Sequence, residues 1–258
     1  MADDTGTTNT SLASADTVTA AILVIGDEIL SGRTKDKNVG KIADHLTEIG
    51  IELVEVRIVA DRRDAIIEAL NVLRARNDYV FTTGGIGPTH DDITAESVAA
   101  AFGVAISVNP MARGLLAAHC ERRGVPLTET RLRMARVPEG ATLIKNVISA
   151  APGFMLDNVI VMAGVPSVMA AMLEDVTQYL RTGLKIHSLT LALACPEGDV
   201  AEVLTHAQST HPDVAMGSYP TYQDGVAAVE LVLRGRDQGR LATAARHLET
   251  ELRIRKLL

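Results

Sequence analysis

The chain of 258 residues has no tryptophan, only 3 phenylalanines and 4 tyrosines, and 2 cysteines. With so few aromatic rings, the stacking platforms that hold single-stranded nucleic acid have almost nothing to be built from. Basic charge is not in excess either. Lys and Arg total 25 against 32 Asp and Glu, a net charge of −7, whereas nucleic-acid phosphates call for a basic footprint. Cys120 and Cys195 stand outside any CxxC or Cys/His spacing and read as reduced, buried thiols. No run approaches the ~18 uncharged apolar residues of a membrane span. The opening MADDTGTTNTSLASADT lacks the basic and apolar segments of a signal or transit peptide. These absences argue against nucleic-acid and membrane partners and make the cytoplasm the expected location, with residues 1–18 expected as a disordered tail.

What the chain does have is aliphatic. Hydrophobic residues make up 47% and charged residues 22%, ordinary for a protein with a buried core, and the length suits one medium and one small domain. Thr19 to Gly26 is an almost continuous apolar run, as expected for a central strand covered on both faces. Val39, Ile42, Ala43, Leu46 and Ile49 follow at helical spacing, with Gly50 as the C-cap. Ile51 to Ala60 alternates as a strand, a helix starts at Asp61, and Asp78 to Thr83 is a third strand. Strand and helix alternating through short links predict an α/β fold, a doubly wound, mostly parallel sheet in three layers.

Thr82 to Thr94, TTGGIGPTHDDIT, lies where such a sheet places ligands, beyond the carboxyl end of a strand. Gly84, Gly85 and Gly87 let backbone N–H groups converge beside a helix start, a cradle for an anion such as phosphate. Asp91 and Asp92 suit such a cradle if Mg²⁺ bridges carboxylate to phosphate oxygens. The alternative is a capping box, with Thr89 and Asp92 three residues apart serving only the helix end. The other two strand ends, Gly26-Asp27-Glu28 and Ala60-Asp61, are also acidic, so three clusters are expected to meet in one crevice. Arg131, Arg133 and Arg136 read as a solvated helix face, with contact to a substrate phosphate as the alternative. His90 reads as an exposed loop residue, with a metal or phosphate contact as the alternative. A second glycine turn, Gly164 to Ser167, leads into a helix expected over Val168 to Leu180.

After Arg181 the pattern changes to β-α-β-β-α, predicting a small α+β domain over 183–258 behind a larger one over 19–182. No acid, His or glycine constellation stands out in it, and packing or oligomer contact is its expected job.

With those residues in view, the chain resembles the molybdopterin-binding (MoaB/Mog-like) domain family, most closely the version in CinA-type proteins. The resemblance rests on IGDEILSGR (Ile25 to Arg33), RIVAD (Arg57 to Asp61), TTGGIGPTHDDIT, APGF (Ala151 to Phe154) and AGVPSVM (Ala163 to Met169). In the small C-terminal region it rests on GSYPTYQDG (Gly217 to Gly225) and VELVLRGRD (Val229 to Asp237). It implies a catalytic pair, Asp61 and Asp92, and a divalent metal, Mg²⁺ or another, on Asp61, Asp91 and Asp92. It also implies a cradle for a molybdopterin or adenine-nucleotide phosphate formed by Gly26, Thr83, Gly84, Gly85, Gly87, Pro88, Thr89, Gly164, Pro166 and Ser167. Two activities follow by resemblance: hydrolysis of a nucleotide pyrophosphate such as ADP-ribose or FAD, as in CinA-type relatives, or adenylyl transfer in molybdenum cofactor biosynthesis. A non-catalytic binding module and a homo-oligomer are further expectations. Asp91 stands where the adenylyltransferases commonly carry Arg, and the doubled carboxylate suits the pyrophosphatase. Asn146-Val147-Ile148-Ser149 departs from the Asn-Pro-x-Gly of the CinA pattern and alters that edge of the pocket.

Overall fold

The computed structural model describes residues 17–223 and 226–258; most of the expected N-terminal tail lies outside them. The described chain divides into two compact units, one ending at Gly183 and the other spanning Leu184–Leu258.

The first unit runs β1 (Val18–Ile25), α1 (Asp27–Leu30), α2 (Asn38–Glu48), β2 (Ile51–Val59), α3 (Arg63–Arg74), β3 (Tyr79–Thr83) and α4 (Thr94–Phe102). It continues with β4 (Ile106–Val108), α5 (Pro110–Arg122), α6 (Glu129–Leu132), β5 (Arg136–Pro138), β6 (Thr142–Ile144), β7 (Gly153–Leu156), β8 (Val159–Met162) and α7 (Pro166–Val176). The main sheet has the order β2-β1-β3-β8-β7-β6, in which β2, β1, β3 and β8 pair in parallel and β7 and β6 are added antiparallel. A separate ribbon pairs β4 with β5.

Both faces of the sheet are covered, because β1 divides its side chains by alternation. Ala21, Leu23 and Ile25 pack with Ile66 and Leu70 of α3, Val98 of α4 and Leu116 of α5. Ala20, Ile22 and Val24 pack with Ile42 and Leu46 of α2 and Met169 and Met172 of α7. That explains the unbroken apolar run of β1. The result is the three-layer, mostly parallel architecture the pattern predicted. Two boundaries differ. The third helix begins at Arg63, leaving Asp61 in the loop before it, and α7 begins at Pro166 and passes into a 3-10 turn over Thr177–Tyr179.

The second unit runs β9 (His187–Leu193), α8 (Glu197–Thr210), β10 (Ala215–Gln223), β11 (Val226–Gly235) and α9 (Gln238–Ile254). Its antiparallel sheet has the order β10-β11-β9. Val200, Val203 and Ala207 of α8 and Leu241, Ala244, Leu248 and Leu252 of α9 close its core against Leu231 and Leu233. The Asp237 carboxylate caps α9 by accepting from the Arg240 N–H at 2.9 Å.

Candidate functional site

The carboxyl ends of β1, β2 and β3 are neighbours in the sheet, so the loops leaving them gather at one edge. The turn after β3 is held from two sides. Thr94, fully buried at the start of α4, donates its hydroxyl to the Gly84 carbonyl at 3.0 Å and its N–H to the Gly85 carbonyl at 3.0 Å. Gly84 has φ +107°, and a Cβ there would lie 2.0 Å from the Ile25 carbonyl oxygen; at Gly85, φ +66°, it would lie 2.2 Å from Thr94 Oγ1. Only glycine fits either position.

Neighbouring strands lock the base of the turn. The buried Asn38 donates to Thr83 Oγ1 at 2.7 Å and to the Gly164 carbonyl at 2.8 Å, while the Thr83 hydroxyl donates to the Ala163 carbonyl at 3.0 Å. Gly164 comes so near that its Cβ would sit 3.3 Å from Gly84 Cα. The two glycine turns are therefore side by side. Pro166 opens α7 at its first turn, and Ser167 beside it is exposed.

Aspartates face both ends of the turn. Asp61 Oδ1 is 3.6 Å from where a Gly85 Cβ would stand, and Asp92 Oδ2 is 2.6 Å from that of Gly87. Asp61 Oδ2 accepts the Asp27 N–H at 2.8 Å, which ties the loop after β2 to the loop after β1. Asp92 Oδ2 accepts both the N–H of Thr89, at 2.8 Å, and its hydroxyl, at 2.5 Å. This is not a capping box, since α4 starts only at Thr94. Thr89 and Asp92 shape the turn ahead of the helix. Pro88 and Thr89 are exposed, as is His90, whose Nδ1 is 3.9 Å from Asp91 Oδ1.

Carboxylates of the other two acidic loops act on Asp61. Burial raises the Asp61 carboxyl above the ordinary range; the Asp27 N–H opposes this, and repulsion from Asp27, Glu28 and Asp91 adds to it. Hydrogen bonding holds the Asp91 carboxyl below that range. Glu28 folds back over Gly26, within 2.5 Å of where a Cβ would be. Asp61, Asp91 and Asp92 do not, however, offer one oxygen each within 4.8 Å of one another.

On the other side the wall is basic. A pocket is lined by Gly85, Ile86, Gly87, Asp92, Ala95, Glu96, Arg133, Met134, Arg136 and Pro152. Arg136 pairs with Glu96, and Arg133 donates to the Asp92 carbonyl at 3.5 Å. Arg133 Nε is buried with no hydrogen-bond partner. The expectation of a solvated arginine face is therefore corrected for Arg133 and Arg136. The turn over Arg133–Ala135 and the pairing of β5 with β4 draw them in against the glycine turn. Their spacing of three was the available signal. Asn38 was also missed, since nothing in its polar stretch marks it as buried.

The Asn146-Val147-Ile148-Ser149 edge is ordered by Asn146 itself. Its Nδ2 donates to Ser149 Oγ at 2.6 Å and to the Ala151 carbonyl at 2.9 Å, and its Oδ1 accepts from the N–H of Ile148 at 2.9 Å and of Ser149 at 3.2 Å. Val147 is 87% exposed, and Ala150 takes the left-handed conformation at φ 62°.

Residues 21–182 match the family model described as probable molybdopterin binding domain, and residues 185–258 match the one for the middle domain of FAD synthase. A protein of Aeropyrum pernix is 34% identical over 210 residues, 78% of each chain, and one of Archaeoglobus fulgidus is 30% identical over 228 residues, 88% of this chain and 95% of that one. The crystal structure of CinA from Thermoplasma acidophilum, a protein of unknown function, superposes with a TM-score of 0.59 at 32% identity, covering 64% of this chain and 99% of that one. The chain belongs to the molybdopterin-binding domain family of MoaB/Mog and CinA type.

Proposed function

We propose that the first unit binds the phosphates of an adenine nucleotide or pterin at the Thr82–Thr94 turn and, with a divalent metal, hydrolyses a nucleotide pyrophosphate of the ADP-ribose type. The observation that carries this reading is the placement of Asp61 and Asp92 against opposite ends of one glycine turn, from loops about thirty residues apart. The buried Arg133 Nε without a partner, in the wall facing Asp92, supports an anionic ligand on that side. The similarity of the second unit to the middle domain of FAD synthase supports a nucleotide over a pterin.

The donor set fits a hard cation. Asp61 Oδ1 is left free by the Asp27 N–H, and every charged group acting on Asp61 is another carboxylate. Mg²⁺ commonly takes one or two carboxylates and fills its shell with water and phosphate oxygens, so the spread of the three aspartates suits it. Asp61, Asp91 and Asp92 would hold the ion, in part through its waters, and it would neutralise charge building on the diphosphate. Gly84, Gly85 and Gly87 receive one phosphate through the backbone, while Arg133 and Arg136 attract the second. In the reaction a water oxygen bonds to phosphorus and gives up a proton to solvent, while the bridging P–O bond breaks and its electron pair leaves on the departing phosphate. ADP-ribose then yields AMP and ribose 5-phosphate.

The test is incubation of the full chain with ADP-ribose, FAD, NAD and ATP, each with Mg²⁺, Mn²⁺ or Co²⁺, and identification of products by mass. AMP from ADP-ribose supports the proposal. Adenylyl transfer from ATP to a molybdopterin acceptor without pyrophosphate hydrolysis assigns the chain to the other activity, and binding without product makes it a binding module. Self-association is part of the same proposal, because the edge strand β2 exposes a row of aliphatic side chains, Val54, Val56 and Ile58, at 52%, 40% and 44%. Such a row on an unpaired edge is a docking surface for another copy. Native mass spectrometry showing only monomer contradicts it.

A further inference from the structure

We infer that the second unit carries a transition-metal site of its own, formed by His206 of α8 and by His247 and Glu251 of α9. Each of the three offers a ligand atom within 4.8 Å of the others, the only such trio of His, Cys, Asp or Glu among the described residues. Glu251 Oε1 lies 3.5 Å from His206 Nε2 and 3.3 Å from His247 Nε2. A tetrahedral ion with ligands at about 2.0–2.1 Å has ligand–ligand edges of roughly 3.3–3.4 Å, so both Glu251–His edges match such an ion, and the two histidines offer nitrogens within 4.8 Å of each other.

The placement follows from the packing. His247 and Glu251 are one helical turn apart on α9, flanked by the buried Leu248 and Leu252, and His206 precedes the buried Ala207 on α8. Where the two helices pack, the three polar groups are brought together along the rim of the core. A fourth histidine stands behind them. His211 Nε2 is 3.0 Å from His247 Nδ1. In the tautomer where His247 Nδ1 donates to His211 Nε2, the His247 Nε2 lone pair is left for the metal, and His211 gives the support a ligating imidazole normally has.

Two imidazoles and one carboxylate select a borderline ion, Zn²⁺ first and Co²⁺ or Ni²⁺ as substitutes, over Mg²⁺ or Ca²⁺. With three protein ligands, and His206 61% exposed, the fourth position opens to solvent. This is the pattern of a metal that can take a water or an external ligand, and it does not depend on the phosphate chemistry of the first unit.

The test uses the full-length chain without an affinity tag, stripped by chelator and then titrated with Zn²⁺ against a chromophoric competitor. A parallel Co²⁺ titration reads coordination through visible absorption. We expect one Zn²⁺ per chain and tetrahedral-type Co²⁺ bands, both lost in His206→Ala and in His247→Ala. His211→Phe should weaken Zn²⁺ binding by about 10-fold or more. Asp61→Asn should leave it unchanged, which separates this site from any ion in the first unit. His206 is exposed, so His206→Ala keeps the fold, as circular dichroism will verify. Absence of Zn²⁺ binding in the parent chain, or binding of equal affinity in His206→Ala and His247→Ala, overturns the inference.

Discussion

Replacing Asp61 with Asn should make the protein more stable and less active. Asp61 has lost water on folding and faces Asp27, Glu28 and Asp91, so its carboxyl is raised above the ordinary range. A carboxylate whose pKa rises on folding binds protons more readily in the folded state. Its penalty is absent below the unfolded pKa of about 4 and grows as pH rises through the folded value, to remain in full at neutrality. Asn removes the charge and keeps an oxygen to accept the Asp27 N–H, now made at 2.8 Å. The site is partly open to water, so the gain is small. Screened interactions of this kind amount to about 0.5–1 kcal/mol, or roughly 1–3 °C in melting temperature for a unit of this size. Calorimetry of the metal-free chain at neutral pH and below about pH 4 should show the gain at the first and not at the second. Mg²⁺ should raise the melting temperature of the parent chain and leave Asp61→Asn unmoved. A variant less stable than the parent at neutral pH, or equally responsive to Mg²⁺, refutes the reasoning.

Three other perturbations test separate parts. Ala150→Gly relieves a left-handed conformation that disfavours any side chain by about 1–2 kcal/mol, and after glycine's entropic cost it should stabilise by roughly 0.5–1 kcal/mol, read by urea unfolding. Thr94→Val leaves the Gly84 carbonyl without its 3.0 Å donor and should destabilise by about 1–3 kcal/mol, with faster amide exchange through the turn. Arg133→Met should lower kcat/KM for a pyrophosphate by about 10- to 100-fold, the weight of a charge-assisted hydrogen bond, with unfolding nearly unchanged; equal kinetics would place the ligand elsewhere.

How much of this was readable beforehand depends on the range of the interactions. The runs of β1, β2 and β3 and the glycine turn are local signals, so the sheet edge and its acidic loops could be read from composition and spacing. The strands β4, β5 and β6, each three residues long, are too short to show a period and exist only through their partners. Arg133 and Arg136 turn inward because of that pairing, so their charge gave no sign of direction. Asn38 is buried by its bonds to Thr83 and Gly164, 45 and 126 residues away. In the second unit, His206 and His247 lie on different helices, and only the packing of α8 on α9 makes them neighbours.

The most direct measurement is AMP release from ADP-ribose by the parent chain and by Asp92→Asn under saturating metal, with circular dichroism verifying the fold of both. If aspartates at the two ends of the glycine turn do the chemistry, the parent releases AMP and Asp92→Asn loses about 100-fold or more of that rate, the loss of several kcal/mol of transition-state stabilisation. A folded Asp92→Asn that turns over as fast as the parent contradicts the account.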